Sequence, residues 1–328
     1  MGCGRSTANP VAEQQQRTLS RQPSLLSPSP RSKLQDELLR ALQELEHGVI
    51  EPEGPHTHTV IMLHGLGNKG SDFVSFRGSK GLPTTIAELL VDGTDGIKYI
   101  FPTAPSRLMY REGKDGSPSE HSVNAWYTYY SDYSGTDQAD DDVINQEEYD
   151  RSVKELVDLV NSEAAMLGDA RRVIIGGYAQ GGTVAISAAM ALGKDPPAAL
   201  VGINTLPMSF TQQSSEKLAL PAYSFVGGDD KIYPLRVQKD RWARLQPVGS
   251  KLTQVVVPGV PHGPYAQIMN EIAAKWIVQA FYAIANAGHR PVIDATYRVK
   301  SDDVVEADCL TPAAWWMCST PICSHTCS

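Results

Sequence analysis

The chain has 328 residues, of which 41% are hydrophobic and 20% charged, an ordinary composition for a globular protein with a sizeable core. Its formal net charge of −8 argues against nucleic acid as a partner, because a polyanion needs a basic face. No stretch approaches the ~18 apolar residues of a membrane-spanning helix, and the opening residues lack the apolar run of a secretory signal, so the body reads as soluble and intracellular.

Residues 1–33 are rich in Ser, Pro, Gln and Arg, a composition that cannot bury enough apolar surface to order itself. Arg5, Arg17, Arg21, Arg31 and Lys33 against Glu13 alone give this arm +4, so a total of −8 leaves −12 on the rest. Met1-Gly2-Cys3-Gly4-Arg5-Ser6 fits M-G-x-x-x-[ST], the N-myristoylation signal at Gly2, with Cys3 placed for a palmitoyl chain. One myristoyl chain anchors only marginally, and a second chain with basic residues makes attachment stable. The expected location is the cytoplasm, peripheral on membranes, with the membrane surface as a partner through this arm.

Ser32 and Gln35 form a capping box for a helix carrying Leu34, Leu38, Leu39, Leu42 and Leu45. Short apolar runs then predict buried strands at Thr59–Leu63, Lys98–Phe101, Val173–Ile175, Ala199–Ile203, Ala222–Val226 and Gln254–Val257. Helical periods lie near 84–91, 147–166, 181–193, 234–245 and 264–286. Alternating strands and helices predict an α/β fold, a mostly parallel central sheet with helices on both faces. One domain spans 34–289. Residues 106–145 read as a long Tyr- and Asp-rich loop insertion, and its Asp140–Asp142 run lacks the ligand spacing of a calcium loop.

Residues 290–328 form a polar tail with Trp315, Trp316, Cys309, Cys318, Cys323, His325 and Cys327. The paired spacing of a zinc site is absent there, and with Cys3 far away no disulfide staples the core. A tail without a role and an S-acylated interfacial foot at Trp315–Cys318 both fit. No metal or cofactor is expected.

The chemistry concentrates at Gly176-Gly177-Tyr178-Ala179-Gln180-Gly181-Gly182, where a β-branched strand runs through a sharp turn into a helix of small residues. This is the setting of the nucleophile elbow G-x-S-x-G, in which flanking glycines leave room for a strained turn that lifts one side chain above the sheet. Gly177 and Gly181 take the glycine positions; Ala179 takes the serine's. The remaining parts follow in the order nucleophile, acid, base. Asp230 follows the strand Ala222–Val226 and suits the residue that orients an imidazole. His262 follows the last strand and suits the general base. His64-Gly65-Leu66-Gly67 follows the first core strand, so the amides of Leu66 and Gln180 are placed to face a developing oxyanion.

Together, His64 through Gly67, Phe101-Pro102-Thr103-Ala104-Pro105, Gly177 through Gly182, Leu206-Pro207, Asp230 through Pro234 and His262 resemble the acyl-protein thioesterase and carboxylesterase family over about residues 57–287. The resemblance implies an α/β-hydrolase fold acting on acyl esters or thioesters, with an acylated small molecule, a lipid or an S-acylated protein as substrate. It also implies Trp126 beside the acyl site and Leu206 in the loop that walls it. The chain departs from the family at Ala179, at Val226 where members often carry histidine, and in the acidic 106–145 stretch.

Three explanations meet Ala179: a natural loss of the nucleophile, a replaced or misread serine codon, and a substitute such as Tyr178, which stands off the turn's apex. Losing the serine costs about 10⁶ in kcat, so binding with scarcely any turnover is expected. A non-catalytic acyl-binding or regulatory protein on the same scaffold is the alternative.

Overall fold

The β-branched runs of the sequence become the middle of one sheet. A computed structural model describes residues 48–76, 79–90, 94–112, 118–130, 143–212, 220–245, 252–262 and 266–286. In chain order the elements are β1 (Val49–Ile50), β2 (His58–Leu63), β3 (Ser75–Phe76), β4 (Ser79–Lys80), α1 (Leu82–Leu89), β5 (Ile97–Ile100), β6 (Ser106–Glu112), β7 (Pro118–Asn124) and α2 (Gln146–Leu167). They continue with β8 (Val173–Tyr178), α3 (Ala179–Ala191), β9 (Ala199–Ile203), β10 (Ala222–Gly227), α4 (Leu235–Arg244), β11 (Leu252–Val257) and α5 (Ala266–Asn286).

The main sheet has the order β1-β5-β2-β8-β9-β10-β11. Every pairing from β5 to β11 is parallel, and only β1 runs antiparallel, against β5. Its inner strands β2, β8, β9 and β10 are buried on both faces, as strands of parallel sheets are. Alternate residues of β2 show the two faces: Ile61 and Leu63 join a cluster with Tyr149, Leu156 and Val160 of α2 and Val184 and Ala185 of α3. Val60 and Met62 join another with Leu82 and Ile86 of α1 and Ala274, Ile277 and Phe281 of α5. Trp242 of α4, fully buried, sits in the first cluster. The expected α/β fold, helices on both faces of a mostly parallel sheet, is the fold observed.

All six predicted strands form: Ala199–Ile203 as expected, the one at 98–101 shifted by a residue, and the others extended by one to three residues. The stretch read as a loop over 106–145 is built differently: β6 and β7 pair antiparallel as a hairpin, from Ser106 opposite Asn124 to Glu112 opposite Pro118. Periodicity missed it because Ser106–Glu112 and Pro118–Asn124 are largely polar, and among their residues with a described burial only Met109 joins the buried core. α2 then starts at an Asn145 cap, whose side chain accepts from the Glu148 amide, and stops at Gly168 in the left-handed region. Arms 1–33 and 290–328, the Leu34–Leu45 helix, Gly2, Cys3, Asp140–Asp142 and the terminal cysteines lie outside the described residues.

Candidate active site

Parallel register brings the strand ends level. Leu63 pairs with Gly177, Tyr178 with Ile203, Phe225 with Ile203, and Gly227 with Val257. The loops after β2, β8, β9, β10 and β11 therefore leave the sheet at one edge, the carboxyl edge where open α/β sheets place their ligand sites. Those loops carry Gly65–Leu66, Ala179, Leu206, Asp230 and His262.

Ala179 opens α3 with φ 47°, a left-handed conformation that an L-residue adopts only when its surroundings force it. The surroundings are tight. A Cβ on Gly177 would stand 2.6 Å from the Gly181 carbonyl carbon, and one on Gly181 would stand 2.4 Å from the His64 carbonyl oxygen. Thr205 Oγ1 donates to the Ala179 carbonyl at 2.8 Å and pins the turn from the β9 side. The first amides of a helix have no intrahelical acceptor, so the Gln180 N–H is available at this point. Its side chain is committed elsewhere: Oε1 accepts from the Trp126 amide at 2.9 Å and Nε2 donates to the Tyr127 carbonyl at 2.8 Å.

Asp230 and His262 meet. Their Oδ2 and Nδ1 atoms lie 2.8 Å apart, with the Asp230 side chain fully buried and that of His262 one-fifth exposed. The other carboxylate oxygen accepts from the amides of Ile232 at 2.9 Å and Tyr233 at 2.8 Å, which fixes its orientation. Gln238 of α4 backs this turn by donating to the Tyr233 carbonyl at 2.6 Å, and Asn204 Oδ1 accepts from the Gly227 amide at 2.8 Å. A carboxylate so held, bonded to Nδ1, orients the imidazole with Nε2 as its other nitrogen.

The loop after β2 is locked by its own histidine. The Ala104 amide donates to His64 Nε2 at 2.9 Å, so that nitrogen carries no proton and Nδ1–H donates to the Gly65 carbonyl at 2.7 Å. Burial holds the His64 pKa below its ordinary value, partly opposed by the Gly65 bond and by Asp72. His64 is thus a neutral brace. Trp126 is buried against it, with its indole N–H given to the His64 carbonyl at 2.7 Å. Leu206 is buried as well, in the cluster that includes Trp126 and Ala179. Leu66, half-buried, packs on that cluster.

A sequence profile described as phospholipase/carboxylesterase matches residues 45–277. The chain belongs to the phospholipase/carboxylesterase family. Among curated proteins similar to this family member are acyl-protein thioesterase 1 homolog 2 of Dictyostelium discoideum and acyl-protein thioesterase 1 of Cryptococcus neoformans. The first is 29% identical over 188 residues, covering 56% of this chain and 74% of that protein. The second is 26% identical over 254 residues, covering 72% and 98%. Similar folds occur in Zea mays acyl-protein thioesterase 2, with a TM-score of 0.50 and 22% identity over 71% of this chain and 97% of that one. Arabidopsis thaliana SOBER1 aligns with a TM-score of 0.51 and 17% identity over 68% and 99%.

Several residues that hold this edge of the family member's sheet were not singled out from sequence. Thr205, Asn204 and Gln238 hold the turns from outside them, and Arg107 ties the hairpin to α2. Arg107 donates to the Ala125 carbonyl at 2.9 Å and pairs with Glu148 at 2.5 Å, while Glu148 also accepts from the Thr128 amide at 2.8 Å. Arg107 closes the Ala-Pro-x-Arg stretch, and that motif was the available signal.

Proposed function

We propose that the chain holds acyl esters or thioesters at the carboxyl edge of the sheet, on a serine-hydrolase apparatus that lacks only its nucleophile. In this reading His262 is the general base, Asp230 its orienting acid, and the Leu66 and Gln180 amides the oxyanion pair. Trp126 and Leu206 belong to the wall of the acyl site. The substrate class is an S-acylated protein, a lipid ester or a small acyl ester, as the names of the acyl-protein thioesterase relatives suggest.

The observation that carries the reading is the 2.8 Å Asp230–His262 contact at the same sheet edge as a turn held at φ 47°. A serine hydroxyl at 179 would give its proton to His262 Nε2 and attack the acyl carbonyl, whose oxygen would be stabilised by the two amides. Ala179 offers a methyl group instead. Loss of the serine removes about 10⁶ of kcat and leaves roughly 10³–10⁴ over water from the oxyanion hole and binding.

The test is Ala179→Ser, assayed on a medium-chain p-nitrophenyl ester. Activity rising by several orders of magnitude is the expected outcome. A flat result abandons the hydrolase reading and leaves the non-catalytic acyl-binding or regulatory protein, which the alanine itself favours. Attachment to membranes through Gly2 and Cys3 is a separate proposal, supported by the signal and the basic arm. Gly2→Ala is expected to move the protein to the soluble fraction of a cell lysate, and unchanged fractionation refutes it.

A further inference from the structure

Tyr178 stands immediately before Ala179, and its side chain lies against His262 and the Gly65 turn. Its ring stacks on the His262 imidazole, with centroids 5.5 Å apart and planes at 29°. Its hydroxyl donates a hydrogen bond to the His262 carbonyl. Its opposite neighbour is the oxyanion loop: a Cβ on Gly65 would lie 2.6 Å from Tyr178 Cδ1 and 2.8 Å from Cε1. One aromatic ring thus lies against both the base and the loop that carries the Leu66 amide, on a backbone that is itself the start of the elbow.

The phenol is no nucleophile in this arrangement. Burial, reinforced by Asp230, raises its pKa above the ordinary tyrosine value, so the group stays protonated and its hydrogen is committed to His262. On its other side the imidazole meets Tyr233 edge-on at 5.3 Å, and the Tyr233 amide is one of the two that fix Asp230. Asp230 sets the tautomer of the imidazole. The Tyr178 ring lies on the imidazole's face, and the Tyr178 hydroxyl holds the His262 backbone carbonyl.

We infer that Tyr178 is a positioning residue, a spacer that fixes the His262 imidazole relative to residue 179 and the Gly65–Leu66 loop. This rests on the reading of His262 as general base given above. Tyr178→Phe removes the tether and keeps the ring. In the Ala179→Ser background it is expected to lower kcat about tenfold or more with KM within about twofold, because small misplacements of a reacting group act on the chemical step. An unchanged kcat overturns the inference.

A second measurement needs no turnover. In the chain with Ala179 in place, the low-field proton resonance of His262 Nδ1–H is expected to be sharp, and to broaden and exchange with solvent faster after Tyr178→Phe. The control is Tyr223→Phe, which alters a phenol stacked on Trp276 in the other face of the sheet. It is expected to leave the resonance as it was. An unaltered resonance in Tyr178→Phe overturns the inference even if Ala179→Ser is inert. An inert Ala179→Ser with a broadened resonance refutes the hydrolase reading and keeps the spacer.

Discussion

A carbon added at Gly65 would meet the Tyr178 ring well inside contact distance, and the ring is not free to turn aside, because His262 lies on it and holds its hydroxyl. Gly65→Ala is therefore an overpacking change, with an expected loss of about 1–3 kcal/mol in stability by urea unfolding. In the Ala179→Ser background it is also expected to cost activity, since the ring can move only by displacing the imidazole or the loop. Gly65→Ala with wild-type unfolding and unimpaired Ala179→Ser hydrolysis would show that the ring gives way freely. At this scale the sequence was informative about identities and silent about contacts. The order Ala179, Asp230, His262 is legible because strand ends in a parallel sheet meet at one edge. The role of Tyr178 is not, since it depends on the angle of one ring.

Among the elements, the β6–β7 hairpin joins the site to α2 through few bonds. The Gly67 amide donates to the Asn124 carbonyl at 2.8 Å, and Asn124 Nδ2 donates to the Asn68 carbonyl at 3.1 Å, so the hairpin's last residue is fastened to the loop after β2. At the same open end of the hairpin, on its first strand, Arg107 reaches Glu148, both largely buried. Arg107→Ala leaves a buried carboxylate with one partner fewer and frees the Ala125 carbonyl, for an expected cost of about 2 kcal/mol. A shift in the urea midpoint smaller than that of an exposed pair such as Lys154–Asp158 would contradict this. β2, β9 and β10 were readable to within one residue because burial on both faces demands continuous apolar runs, and β8 ran three residues past its apolar run, through Gly176 and Gly177 to Tyr178. β1, two residues on an edge, and the hairpin have no such demand on them, and their sequences carry no period to read.

At the scale of the whole molecule, the rim of the sheet away from the candidate site holds a buried titratable group of its own. The edge opposite the candidate site holds His58, the first residue of β2, whose pKa falls to about 4, chiefly through burial and further through Arg172 and His56. Beside it Thr59 and Lys98 bond the buried Glu163 at 2.8 and 3.0 Å. The unfolded chain binds a proton at His58 below pH 6.5 while the folded chain refuses it down to about 4. Stability therefore falls as pH drops through that window, by up to about 3 kcal/mol at its lower end, and is unaffected by this group above it. Unfolding measured between pH 4 and 7 is expected to show the loss, and His58→Gln, which cannot titrate there, is expected to flatten it. An equally steep acid limb in His58→Gln assigns the loss to other groups.

The order of the strands has one more consequence. β8, which leads to Ala179, lies in the middle of seven, while β11, which leads to His262, is at one end and among the described residues pairs with β10 alone. Outer strands are the first to come loose in partial opening events. Under mild denaturant the histidine's strand is thus free to fray from a sheet that still presents an intact turn and intact amides. Deuterium uptake at Leu252–Val257 would run ahead of that at Val173–Tyr178, and a chain in that partly loosened condition would keep the turn at Ala179 while losing the Asp230–His262 pair.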